Sequence, residues 1–187
     1  KRAHILCGNL ERLGVRNAVV TCNRPDEYAA AAAGSFDLVV VDAPCSGEGM
    51  FRKEPAAVEA YSAAHVAACA VRSSAILHSA AACVGEGGYL LYSTCTFNRS
   101  ENEGVLRAFL QAHPDFSALP VPPELRPYVY CTDFEGGARL LPHRIDCEGQ
   151  FACLMQRADG ERPTLKTTAL PAARGKEWKA VFSQVSA

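Results

Sequence analysis

Apolar residues at Ile5, Leu6, Leu10 and Leu13, followed by Gly14, have helical spacing and a glycine stop, so residues 2–13 read as a helix. A short strand is expected at 18–21, then a turn and a short alanine-rich helix over 25–35. Residues 36–41 form a continuous β-branched run, the pattern of a strand buried on both faces, and it stops at Asp42. From Pro55, well suited to a first helical position, alanine-rich periodicity continues to about residue 84, as one helix or two, and is halted by Gly85, Gly87 and Gly88. The next strand is expected at 89–93. Ser100 and Glu103 have the spacing of a capping box for a helix running to about residue 112, which His113-Pro114 ends. A proline-rich connection, 119–127, leads to an antiparallel pair at 139–141 and 151–156.

Strand, helix, strand, helix with right-handed crossovers implies an α/β fold, a mostly parallel sheet to which the last hairpin-like segment adds an antiparallel edge strand. The chain opens in a helix, with no strand before it and no glycine-rich strand-to-helix turn to cradle a cofactor, so the sheet is expected to be incomplete at the N-terminus. After Arg157 the character changes: residues 158–187 read as a linker with only a short helical signal at 178–182.

At 187 residues and 49% apolar, the chain is large enough for one domain with a sizeable core. Nine cysteines, an odd number without a Cys-x-x-Cys pair, argue against a disulfide framework and a zinc ribbon, and suit a reducing cytosol with no metal. No signal peptide is evident, and the apolar stretches are expected to fall short of a membrane span, which implies a soluble cytoplasmic protein. A net charge of −1 lacks the basic excess of a domain that grips nucleic acid alone, so any such grip is local or supplied elsewhere.

Chemistry concentrates where the two expected strands end. Val39 to Gly49 and Leu90 to Thr96 each run from an apolar strand pattern onto a cysteine, Cys45 and Cys95. Open α/β sheets bind ligands beyond the carboxyl ends of their strands, so thiols at neighbouring tips face one site. Spacing alone leaves open which thiol attacks. Cys7, Cys69, Cys83 and Cys153 sit inside element patterns and read as buried structural thiols.

The run Asp42-Ala43-Pro44-Cys45-Ser46-Gly47-Glu48-Gly49-Met50-Phe51-Arg52-Lys53, with Ser93-Thr94-Cys95-Thr96-Phe97-Asn98 and Glu101-Asn102-Glu103, resembles the two signature motifs of the Nop/Sun family of RNA cytosine-5 methyltransferases. Within it the chain is most similar to the bacterial RsmF-like enzymes of 16S ribosomal RNA. Lys1-Arg2-Ala3, Asn23 and the segment 141–151 extend the resemblance over roughly 1–157, a partial catalytic domain. The resemblance implies a class I Rossmann-like enzyme using S-adenosylmethionine on RNA, ribosomal or transfer, and monomeric at full length. It implies Cys95 as nucleophile, Cys45 as the residue assisting breakdown of the covalent adduct, and Asp42 at the cytosine edge. Toward the cofactor it places Arg2, Asn23, Asp42 and Pro44, and toward RNA phosphate Arg52 and Lys53. Ser100 and Glu103 read as a cap, and His143 as structural.

Relative to that family, the glycine-rich cofactor loop is expected to lie before Lys1, leaving residues 1–187 unable to bind S-adenosylmethionine alone, with an exposed apolar edge beside the Asp42 strand. The linker is expected to lead to a C-terminal RNA-binding domain. Two other classes fit less well. A noncatalytic RNA-binding module has no need of a thiol pair, and a thiol redox or hydrolytic enzyme needs a histidine partner that none of the five histidines supplies in a recognisable motif.

Overall fold

The computed structural model describes residues 2–160; Lys1, the 178–182 helical signal and nearly all of the expected linker lie outside the described residues. Helix α1 (Arg2–Arg12) gives way to Gly14 at φ +70°, a left-handed conformation that glycine takes without steric cost. The strand expected at 18–21 does not form. Val19 is 89% exposed, and no strand among the described residues lies beside this segment to accept its hydrogen bonds. Helix α2 (Pro25–Ala31) and strand β1 (Phe36–Asp42) follow as expected.

The long alanine-rich stretch divides into α3 (Pro55–Ala60) and α4 (Ala63–Cys83), because Tyr61 is extended and Ser62 caps the second helix by accepting the His65 N–H. Contrary to the expectation that no stretch reaches membrane-spanning length, α4 is long and apolar enough by length and composition. Here it is a core helix, packed against α2, β1 and β2. The chain runs from α4 directly into β2 (Val84–Thr94), longer than 89–93 because Val84 already pairs with Phe36 and the glycines shape the strand instead of ending it. A Cβ on Gly88 would lie 2.8 Å from the Gly85 carbonyl oxygen, so this bend admits glycine alone.

Helix α5 (Glu103–Ala112) and strands β3 (Phe116–Ala118), β4 (Tyr130–Cys131), β5 (Ala138–Leu140) and β6 (Gln150–Arg157) complete the described chain. The strand order is β1-β2-β6-β5-β4, with β3 also on β6. The sheet is mixed: β1 and β2 are parallel, and β2·β6, β3·β6, β5·β6 and β4·β5 are antiparallel, so among the described residues the antiparallel part is broader than one edge strand. Alternation selects the core face: Leu90, Tyr92 and Thr94 of β2 and Phe151, Cys153 and Met155 of β6 are buried with Leu77 of α4 and Leu106 and Phe109 of α5. Each such large apolar side chain contributes about 1.5–3 kcal/mol. On β1 the expectation of burial on both faces is corrected. Leu38 and Val40 are 53% and 58% exposed, because β1 is an edge strand whose second face no described element covers.

Near the end of α5, His113 Nε2 and His78 Nδ1 of α4 are 2.7 Å apart, and the His113 ring stacks on Phe109. Burial, then the proximity of His78, holds the His113 imidazolium below its ordinary range; Asp115 opposes this and Arg157 adds to it. A folded state that binds a proton less readily than the unfolded chain loses stability as pH falls below about 6.5. The unfolding free energy from urea titration is therefore expected to drop between pH 7.5 and 5.5, by less than about 1 kcal/mol for this partly solvated ring. In His113→Phe the drop should shrink; an unchanged drop would remove His113 as its source.

Candidate active site

Parallel pairing sets Asp42 opposite Ser93, so β1 and β2 end level, and the Ala43 N–H donates to the Ser93 carbonyl at 2.9 Å. Each chain turns away into a loop carrying one cysteine. The Sγ atoms of Cys45 and Cys95 are 3.2 Å apart, and both side chains are partly buried. The thiols expected to share a site therefore meet directly at the carboxyl ends of neighbouring strands.

That proximity makes the two sulfurs unlike. The hydrogen bond from Cys45 pulls the Cys95 thiol down to about 7, against partial burial and the negative charges of Asp42 and Glu101. Cys45 is pushed strongly upward by the same hydrogen bond, by burial and by the charge on Cys95. Once ionised, the pair carries its charge on Cys95, with the Cys45 thiol donating to it. Cys69 and Cys153 are buried and their thiols are pushed up by burial, in keeping with structural roles.

The two loops are stitched to one another. The Gly49 N–H donates to the Cys95 carbonyl at 2.8 Å, and a Cβ on Gly49 would lie 2.6 Å from the Gly149 oxygen and 2.9 Å from the Cys95 oxygen. Gly47, at φ +75°, starts the single 3-10 turn (Glu48–Met50) that brings Gly49 there. Glu48 Oε2 accepts from the Phe97 N–H at 2.8 Å, and Ser73 of α4 donates to the Pro44 carbonyl at 2.6 Å.

Below the loops, Glu101, Asn102 and Glu103 are buried, at 0%, 0% and 2% exposure. Glu101 accepts from the Ser46 N–H and hydroxyl at 2.7 and 2.6 Å. Asn102 accepts from Thr94 Oγ1 at 2.7 Å and donates to the Thr96 carbonyl at 2.9 Å. Glu103 pairs with Arg139 of β5 at 2.7 Å, and Arg139 also donates to the Phe97 carbonyl at 3.2 Å. The Ser100–Glu103 capping box is thus corrected. Asn102 occupies the cap position of α5 without a side-chain cap, because these polar groups serve the cysteine loops and β5 instead.

Asp42 is exposed at the end of β1, with the Ser93 hydroxyl 3.5 Å from its Oδ1, and Pro44 lies in the loop beside Cys45. Arg2 and Asn23 are exposed on α1 and in the coil after it, and α1 buries no residue against the rest of the described chain. Asp42 and Pro44 thus stand at the strand tips, whereas no contact brings Arg2 or Asn23 to them. Arg52 donates to the Cys147 carbonyl at 3.3 Å and Lys53 pairs with Glu148, so both expected phosphate ligands are held against the segment before Gly149. His143 is exposed. Among the described residues, no group of three His, Cys, Asp or Glu side chains is placed to hold a metal ion.

The family model for the 16S rRNA methyltransferase RsmB/F matches residues 1–156. The chain is 35% identical over 185 residues to a ribosomal RNA small subunit methyltransferase F of Escherichia coli, covering 98% of this chain and 37% of that protein. It thus spans about a third of the length of the curated relatives it matches. Among solved structures, the crystal structure of PH0851 is similar with a TM-score of 0.75 and 29% identity, over 81% of this chain and 34% of that one. NSun6 from Pyrococcus horikoshii, solved with SFG, shares the fold with a TM-score of 0.68 at 22% identity, over 85% of this chain and 39% of that one.

Proposed function

Because the chain belongs to the 16S rRNA methyltransferase RsmB/F family, we propose that it forms the reactive part of an enzyme that methylates carbon 5 of a cytosine in RNA through a covalent bond from Cys95. The observation that carries this reading is the pair of thiols 3.2 Å apart at two strand tips, with Cys95 held low. The relatives' names point to small-subunit ribosomal RNA as the substrate class; transfer RNA as the alternative substrate, and a soluble cytoplasmic monomer at full length, belong to the proposal.

Carbon 5 of cytosine is a weak nucleophile. The Cys95 thiolate adds to carbon 6, forming a C–S bond and pushing the ring electrons toward carbon 5, which splits one difficult step into two. Asp42, exposed beside the thiols, is placed to hydrogen-bond the cytosine edge while the ring gains negative charge. S-adenosylmethionine supplies an electrophilic methyl group, with Asp42 and Pro44 at the strand tips as the described residues best placed to hold it. Cys45, a thiol at rest, must give up its own proton before it can act as a base. Once the Cys95 sulfur is bonded to carbon 6 its negative charge is gone, and with it a cause of the raised Cys45 pKa, so the Cys45 proton can pass to solvent and leave a thiolate. Cys45 can take the carbon 5 proton as the C–S bond breaks and Cys95 leaves as thiolate. Reaching both faces of the ring requires an unstacked base. For Arg52 and Lys53 to hold RNA phosphate, they must exchange the Cys147 carbonyl and Glu148 for it.

The test is RNA containing 5-fluorocytosine, given with S-adenosylmethionine to the full-length protein. A fluorine at carbon 5 cannot leave as a proton does, so a stable protein–RNA adduct should accumulate, and peptide mass spectrometry should place it on Cys95. An adduct elsewhere reassigns the nucleophile. Methylation of ordinary RNA without any trapped adduct rules out cysteine addition, and neither methylation nor adduct removes the reading altogether.

A further inference from the structure

The sulfur–sulfur distance depends on loops that leave two different strands, and one buried carboxylate joins those loops. Glu101 has 0% exposure. Its Oε1 accepts the Ser46 N–H at 2.7 Å and its Oε2 accepts the Ser46 hydroxyl at 2.6 Å. Ser46 directly follows Cys45. With its only hydroxyl proton spent on Glu101, Ser46 Oγ is left to accept from Thr96 Oγ1, 3.0 Å away, and Thr96 directly follows Cys95. The Glu101 backbone is fixed in turn, since Tyr92 of β2 donates its hydroxyl to the Glu101 carbonyl at 2.7 Å.

We propose that Glu101 is a positioning residue for the two-thiol site: through Ser46 and Thr96 it sets the spacing at which Cys45 meets Cys95. This deepens the reading above and rests on it only for the identity of Cys95 as the reacting thiol. A carboxylate suits the position because both groups it faces are donors. A carboxamide that keeps the Ser46 N–H bond turns its N–H2 toward the Ser46 hydroxyl, which must then accept instead of donate, so the bond from Ser46 to Thr96 has to reverse as well. Glu101 and Thr96 at 0% exposure and Ser46 at 4% cannot turn to bulk solvent while the network rearranges.

Charge and position act on Cys95 with opposite signs, which makes the proposal testable. As a bare negative charge, Glu101 opposes the Cys95 thiolate; as the strut that keeps Cys45 in donating range, it favours it. Alkylation of Cys95 by iodoacetamide, followed across pH by peptide mass spectrometry, distinguishes them in the full-length protein. In Glu101→Gln the midpoint should rise from about 7 toward the ordinary thiol value of roughly 8.5. Labelling at pH 7 should then fall by roughly tenfold or more. Ser46→Ala, which keeps the backbone bond and loses the hydroxyl bridge, should shift the profile the same way by less, and it carries the test should Glu101→Gln not fold. An unchanged midpoint in both variants, or a downward shift in Glu101→Gln, overturns the positioning role. Methyl transfer measured on the same wild-type protein separates the two readings: its absence sinks the methyltransferase assignment without touching the midpoint shift, and its presence with unmoved midpoints sinks the role of Glu101 alone.

Discussion

Cys45→Ala is expected to leave the protein covalently joined to ordinary RNA, while Cys95→Ala is expected to lose both the adduct and methyl transfer, the latter by at least about 10³-fold. The asymmetry follows from the mechanism proposed above. Without Cys95 no C–S bond forms and carbon 5 is never activated. Without Cys45 addition still occurs, but the carbon 5 proton has no base 3.2 Å from the departing sulfur, so the cycle stalls at the adduct. Denaturing gels of each variant mixed with RNA and S-adenosylmethionine give the readout. The pH profile adds a second signature. With Cys95 held at about 7, the wild-type kcat/KM should climb through that pH and level off above it. In Cys45→Ala the donor is gone, so the rate of adduct formation should climb at higher pH, near the ordinary thiol value, even though adduct accumulates. A Cys45→Ala protein that turns over normally, or a Cys95→Ala protein that forms the adduct, would reverse or dissolve the assignment.

What the chain reveals before it is folded divides along a physical line. The alternation of β2, the apolar run of β1 and the cysteines just past each are local patterns, so the strand tips and the two thiols could be read directly. Burial of β1 could not, because whether a β-branched run is covered depends on its neighbours in the sheet, and Leu38 and Val40 face none among the described residues. The same holds for the strand expected at 18–21, which has no partner among the described residues to complete its ladder. Glu101, Asn102 and Glu103 were visible as part of a motif, yet Glu103 with Ser100 read as a cap and Glu101 and Asn102 carried no assigned role. Their targets, Ser46, Thr94, Thr96 and Arg139, lie up to 55 positions away, as between Ser46 and Glu101, and no local pattern reports contacts at that separation. Arg52 and Lys53 reached a basic reading correctly in charge, but pairing with residues 95 positions on was equally out of view.

Arg139→Ala is expected to destabilise the fold by about 3–5 kcal/mol, a large share of a small domain's stability. Arg139 is 7% exposed and Glu103 2%, so removing the guanidinium leaves a carboxylate in the core with no counter-charge. It also strands the Phe97 carbonyl, which Arg139 holds at 3.2 Å, and removes a cation lying 5.5 Å above the Phe151 ring. Lysine cannot repair this: it presents a single ammonium where the planar guanidinium serves Glu103, Phe97 and the ring together, so Arg139→Lys should recover only part of the loss. The double change Arg139→Leu with Glu103→Leu removes both charges at once and should be markedly milder than either Arg139→Ala or Glu103→Ala, because the cost lies in the orphaned charge more than in the absent pair. Urea unfolding of the four variants measures this directly. Because the Phe97 carbonyl follows Cys95 by two residues, Arg139→Lys, if it folds, should also loosen the Cys95 loop and raise its alkylation midpoint. A single-variant cost under about 1 kcal/mol would mean that water reaches Glu103 and that this pair does not anchor the loop.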